Sequence, residues 1–171
     1  LAACAISNAA GISPEAMALR VEDFLGVEHS LEVVRTLRGI TWINDSIATA
    51  PERTMAALRS FNEPLVLLLG GRDKNLPWQG LAAMVHERVS QVILFGEAAP
   101  IIAEAIGLPS AGERLEGVKV ASDFESALKA AANVAKENDI VLLSPGCTSY
   151  DAFRDFEERG NYFKKWVNEL L

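Results

Sequence analysis

Apolar positions along this chain alternate between short strand-like runs and longer stretches at helical spacing. The opening Leu1-Ala2-Ala3-Cys4-Ala5-Ile6 reads as an alanine-rich helix broken at Gly11 and Pro14, and a second helix runs from Pro14 to Phe24 with Met17, Val21 and Phe24 on one side. From about Glu28 the rhythm changes. Leu31 to Leu37 and Ile40 to Ile43 read as two strands joined around Arg38-Gly39, a hairpin. A helix over 50–61 places Met55, Leu58 and Phe61 on one face, and the unbroken apolar run Leu65 to Leu69 reads as a strand buried on both faces. Then come Gly70-Gly71, a helix from about Pro77 to Arg88, a strand Gln91 to Phe95, and a helix Ala98 to Ile106. A polar loop, Leu108 to Gly117, leads to a short strand Val118 to Val120, a helix ending near Ala135, and a strand Asp139 to Leu143. The last segment, Tyr150 to Leu171, reads as helical with a break at Gly160. Thr49 with Glu52, and Ser122 with Glu125, have the spacing of capping boxes at helix starts.

This alternation predicts an α/β fold, a Rossmann-like, doubly wound and mostly parallel sheet of about six strands with helices on both faces, because parallel strands require crossover helices. Residues 1–27 read as the helical tail of a preceding domain plus a linker, and 28–171 as the main domain. The abrupt start inside a helix gives the chain the look of a cut piece.

Composition narrows the function. With 171 residues, half of them hydrophobic, the chain can bury one good core, and its formal charge of −7 without any basic run makes nucleic acid an unexpected partner. The longest strongly apolar stretch, Leu65 to Leu69, is too short to span a bilayer, so a cytoplasmic location, without membrane contact, is expected. Cys4 and Cys147 make neither a disulfide framework nor a metal cluster and read as inert thiols, while His29 and His86 lack neighbours at ligand spacing. No metal ligand is expected.

Three strand ends carry the candidate chemistry: Asn44 to Thr49, Gly70-Gly71-Arg72-Asp73-Lys74, and Ser144 to Ser149. At one edge of a parallel sheet these clusters converge on a single crevice, the usual ligand site of such folds. Lys74 can reach a carboxylate or phosphate there, or it can be a plain surface lysine. Thr148 and Ser149 would put hydroxyls and backbone donors at the start of the final helix, or Ser149 would simply cap it. The phosphate-binding pattern G-x-x-x-x-G-K-[ST] is absent, as is any Ser-His-Asp, Cys-His or paired-carboxylate arrangement, so no catalytic residue is assigned.

Three motifs in order carry a resemblance: Asn44-Asp45-Ser46-Ile47-Ala48-Thr49, Leu69-Gly70-Gly71 through Lys74, and Leu143-Ser144-Pro145 with Ser149 to Phe153 and Phe156-Glu157-Glu158-Arg159-Gly160. Together they resemble the C-terminal domain of Mur ligases, in its D-glutamate-adding branch, from roughly Glu28 to the end. The resemblance implies a bacterial, cytoplasmic, monomeric ligase of peptidoglycan precursor synthesis. In it ATP phosphorylates the carboxylate of UDP-N-acetylmuramoyl-L-alanine, and the amine of D-glutamate attacks the acyl phosphate. ATP and Mg would be held mainly by a central domain, leaving residues 1–171 inactive alone. By motif position Thr49 and Lys74 would meet the side-chain carboxylate of D-glutamate, Ser149 and the backbone near Phe156 its α-carboxylate, and Asn44 and Asp45 would form the nucleotide site, Asp45 by contact and Asn44 by shaping the turn. Two positions depart from the family pattern: Ile47 where many relatives have Lys, and Ser30 where an Arg is common. Both bear on the nucleotide. The alternatives are another amino-acid-adding Mur or folylpolyglutamate-type ligase domain, and a noncatalytic anion- or nucleotide-binding module.

Overall fold

The computed structural model describes residues 2–22 and 26–171, so Phe24 of the second predicted helix lies outside the described residues. Strands β1 (Glu32–Leu37), β2 (Ile40–Asn44), β3 (Leu65–Gly70), β4 (Val89–Phe95), β5 (Gly117–Val120) and β6 (Ile140–Gly146) alternate with helices α3 (Pro51–Leu58), α4 (Gln79–Arg88), α5 (Ala99–Ile106), α6 (Phe124–Val134) and α7 (Phe156–Asn168), after α1 (Ala2–Ala9) and α2 (Pro14–Glu22). The strands make one six-stranded sheet in the order β1-β2-β6-β3-β4-β5. Only the β1–β2 pairing is antiparallel. Their hairpin turns at Arg38 (φ 52°) and Gly39 (φ 76°), two left-handed residues in succession, the twist that a tight two-residue connection needs.

Every residue of β3 is buried. Its alternate side chains feed two cores. Leu65, Leu67 and Leu69 pack with Leu58 of α3, Leu81 and Val85 of α4 and Ile102 of α5, whereas Val66 and Leu68 pack with Phe124 and Leu128 of α6 and Phe163 and Val167 of α7. Each such leucine contributes about 1.5–3 kcal/mol of burial, which is why a strand with no polar side can sit centrally. Helices therefore cover both faces, as the alternation implies. Helices α1 and α2 bury none of their described residues, and among the described residues no helix is long and apolar enough to cross a membrane.

Four local expectations are corrected. Thr49 does not cap α3: the N-cap is Ala50, with no side-chain cap, and Pro51 fills the first turn, where its missing N–H costs nothing. Asp123, rather than Ser122, caps α6, accepting from Ser126 N–H at 2.7 Å. Helix α7 begins at Phe156, not Tyr150, because the Ser149 carbonyl closes a tight turn with the N–H groups of Ala152 and Phe153, and extended Asp155 then caps the helix through Glu158 N–H at 2.7 Å. Gly160 is no break but an inner residue of α7, set against His29.

At the opposite end of the sheet, His86 is a clasp. Its Nε2 donates to the Ile106 carbonyl at 2.8 Å and its Nδ1 lies 2.6 Å from Glu113 Oε2, tying α4 to the end of α5 and to the loop before β5. With acceptors on both nitrogens the imidazolium is favoured: the Ile106 carbonyl has the largest effect and pushes the His86 pKa up, burial opposes it, and the Glu113 carboxylate adds to the rise.

Candidate functional site

Strands β2, β6 and β3 are neighbours and run parallel, so their carboxyl ends open on one edge of the sheet. The three loops leaving them are stitched together by backbone bonds. Gly146 N–H donates to the Ala48 carbonyl at 2.8 Å, while Arg72 and Thr148 exchange bonds of 2.9 and 3.1 Å as an isolated antiparallel bridge. Gly71 permits this approach: at φ +126° a Cβ there would lie 2.1 Å from the Thr148 carbonyl oxygen.

Asn44 closes the end of β2 as a buried cross-brace. Its Nδ2 donates to His29 Nδ1 at 2.9 Å and to Glu32 Oε2 at 3.0 Å, and its Oδ1 accepts Ser46 N–H at 3.1 Å. These bonds hold the turn and spend both amide hydrogens within the protein, so a direct donor contact from Asn44 to a nucleotide is not available in this geometry. Asp45 is also buried: Oδ1 accepts Leu31 N–H at 3.2 Å and Oδ2 accepts the Ser144 hydroxyl at 2.8 Å. Burial raises its pKa, and the bonds from Ser144 and Leu31, with the charge of Arg53, oppose that rise. Asp45, Ser30, Ile47 and Arg53 line a cleft of about 230 Å³ between the start of β1 and α3, where Arg53 Nη1 donates to the Ile47 carbonyl at 3.0 Å. Both positions that depart from the family pattern, Ser30 and Ile47, thus face the cleft that Asp45 lines.

The four residues expected to meet an amino acid fall into two sectors of the same edge. In one, the exposed Lys74 places Nζ 3.4 Å from Thr49 Oγ1. In the other, Ser149 is buried. It precedes the turn into α7 instead of capping the helix. Phe156 is the first residue of α7, and its carbonyl accepts the Ser46 hydroxyl at 2.8 Å. The sectors are therefore joined through Ser46, two residues from Asn44 and three from Thr49.

Arg159 and Ser46 are the site residues that the sequence reading left without a role. Fully buried Arg159 donates Nε to Ser46 Oγ at 2.9 Å, Nη2 to the Ser46 carbonyl at 2.8 Å, and Nη1 and Nη2 to the Cys147 carbonyl at 3.3 Å. Burial lowers its pKa to about 10, leaving it a cation at neutral pH. A signal was present: positions 156, 163 and 167 form the apolar stripe of α7, and Arg159 and Gly160 lie inside it, where a solvated arginine has no place. Burial pushes the Cys147 thiol up to about 12, so it is un-ionised and inert. Among the described residues, no group of three or more His, Cys, Asp or Glu is placed to hold a metal ion.

Comparison with known proteins gives this geometry a context. The family described as Mur ligase, glutamate ligase domain matches residues 31–147. A UDP-N-acetylmuramoylalanine–D-glutamate ligase from Symbiobacterium thermophilum is 44% identical over 170 residues, which are 99% of this chain and 37% of the relative. The chain thus spans little more than a third of that relative. Among solved structures, a folylpolyglutamate synthase from Thermotoga maritima has a TM-score of 0.56 at 16% identity, covering 92% of this chain and 34% of that one. A bifunctional folylpolyglutamate synthase/dihydrofolate synthase with Mn, AMPPNP and L-glutamate bound has a TM-score of 0.54 at 18% identity, covering 83% of this chain and 32% of that one. These two share the fold.

Proposed function

Since the chain belongs to the Mur ligase, glutamate ligase domain family, we propose that it is the amino-acid-binding part of an ATP-dependent ligase that adds D-glutamate to UDP-N-acetylmuramoyl-L-alanine in bacterial peptidoglycan precursor synthesis. The observation that supports this reading is that the loops after β2, β3 and β6 meet on one sheet edge, with the Lys74 ammonium beside the Thr49 hydroxyl and Ser149 on the loop after β6. A dicarboxylate amino acid needs two separated sites of this kind. An ammonium beside a hydroxyl suits the side-chain carboxylate, and the Ser149 hydroxyl with backbone near Phe156 is assigned to the α-carboxylate. Held at both ends, D-glutamate would present its amine in one orientation, converting a bimolecular attack on an acyl phosphate into a positioned one.

ATP supplies the leaving phosphate that makes the acceptor carboxylate electrophilic. The residues present fit a nucleotide in part: the Asp45 carboxylate and the Arg53 guanidinium line one cleft, suited to ribose hydroxyls and a phosphate respectively. Magnesium would be held by the phosphates and by the rest of a longer ligase, as would the phosphate-binding loop. On this reading residues 1–27 are the tail of the preceding domain and a linker, 28–171 form the amino-acid-binding domain, and the enzyme is a cytoplasmic monomer.

The test is a ligation assay on the intact protein, with UDP-N-acetylmuramoyl-L-alanine, ATP and magnesium and with D-glutamate, L-glutamate or L-lysine, following phosphate release and the UDP-linked product. Turnover with D-glutamate alone is expected. Preference for another amino acid would reassign the substrate, and no turnover with any would overturn the reading. Residues 1–171 alone should show no ATP-dependent ligation.

A further inference from the structure

We infer that Arg159 is a positioning residue for the proposed amino-acid site, setting the spacing between the loops that carry Thr49 and Ser149 and holding beside them a positive charge that no carboxylate contacts. This rests on the proposed function and adds to it a residue that never touches the substrate, being fully buried.

Arg159 reaches three elements at once. Its bonds to Ser46 fix the loop that carries Thr49, its bonds to the Cys147 carbonyl fix the loop that carries Ser149, and it belongs to the helix that begins at Phe156. Ser46 relays the arrangement, accepting from Arg159 Nε and donating to the Phe156 carbonyl. Nη1 also faces Gly71, where a Cβ would sit 3.2 Å away, so the loop that leads to Lys74 packs against the same guanidinium.

The charge is the second part. Among the described residues no carboxylate lies within 4.0 Å of Arg159, and the acid that acts on it most, Asp151, is bonded to Glu97 N–H at 3.2 Å. A buried guanidinium whose acceptors are carbonyls and a hydroxyl has its hydrogen bonds satisfied but no carboxylate in contact, and Asp151 offsets its charge only from beyond contact distance. An anion docking on the loops that Arg159 holds adds counter-charge to it.

The experiment uses the intact ligase with Arg159→Lys and Arg159→Met. The expected result is an apparent KM for D-glutamate raised at least tenfold in Arg159→Met and partly restored in Arg159→Lys, with the KM for ATP within about twofold of wild type in both. Glutarate, a dicarboxylate without the amine, is the probe that does not depend on turnover: it should raise the Tm of wild type and of Arg159→Lys, and not that of Arg159→Met. Equal rises in wild type and Arg159→Met, no rise in wild type, or equal effects of the variants on both KM values would overturn the inference. The reading of the enzyme fails separately, through the wild-type choice of amino acid. Should Arg159→Met not fold, Ser46→Ala, which cuts the relay, decides: a raised KM for D-glutamate with the KM for ATP unchanged supports the inference, and unchanged KM values with an unchanged glutarate response overturn it.

Discussion

Lys74 Nζ lies 3.4 Å from Thr49 Oγ1, an ammonium from the loop after β3 beside a hydroxyl from the loop after β2. Neither has another side-chain partner among the described residues, so the pair is open to a carboxylate. Lys74→Ala should raise the apparent KM for D-glutamate by roughly 10- to 100-fold, the loss expected for one charge-assisted contact, and leave the KM for ATP nearly unchanged. Steady-state kinetics of the intact enzyme with each substrate varied in turn would show it. Similar increases for both substrates would contradict the assignment of Lys74 to the amino acid.

The cap positions make a sharper stability test than the sequence motifs do. Thr49→Ala removes a hydroxyl that caps nothing and should leave Tm unchanged within about 1 °C. Asp155→Ala removes the acceptor of Glu158 N–H and should lower Tm by roughly 2–4 °C. Thermal melts of the two variants side by side distinguish a Thr49-capped α3 from the Ala50-capped one described here.

Gly160→Ala would ordinarily strengthen a helix by about 1 kcal/mol. Here the new methyl would sit 2.2 Å from His29 Nδ1 and 3.1 Å from Asn44 Nδ2, so we expect a net destabilisation of about 1–3 kcal/mol, the cost of overpacking. Denaturant unfolding measures it, and adding His29→Ala should restore part of the loss by making room. A stabilised single variant would mean that the His29–Asn44 brace yields without cost.

His86 makes stability depend on pH. Its folded pKa is raised, so the clasp contributes fully below the ordinary histidine value of about 6.5 and fades as pH rises through the folded value. Glu113 works in the opposite sense: bonded first by Ser110 N–H and then by His86, its pKa is lowered, so its share persists down to the ordinary glutamate value of about 4.3. The Tm gap between wild type and His86→Gln should therefore be widest between about pH 4.5 and 6.5 and close at alkaline pH. A gap that widened toward pH 9 would rule the clasp out.

Sheet content and the β/α alternation were legible because β3 and β6 are apolar on both faces, a pattern that survives without any knowledge of neighbours. The placement of β6 between β2 and β3 was not, since nothing local in Ile140–Gly146 says which strands flank it, and that placement joins the Thr49 and Ser149 loops. Capping failed where two polar residues competed within a turn, as Ser122 and Asp123 did, or where proline preset the first helical residue, as Pro51 did. Gly160 reads as a break because its reason is a long-range contact with His29. The site residues Asn44, Asp45, Thr49, Lys74, Ser149 and Phe156 came from motif position, and Arg159 was hidden because a charged residue reads as surface until the face of α7 that it occupies is known.

The Arg72–Thr148 bridge and the Gly146–Ala48 bond turn three loops from three strands into one short ribbon. Loops tied in this way settle when the chain folds, not when a ligand arrives. Little conformational entropy is then left to lose on binding, and association can be fast and weak without being indiscriminate. A small, flexible amino acid is recognised most economically by such a surface, whose shape exists before the encounter.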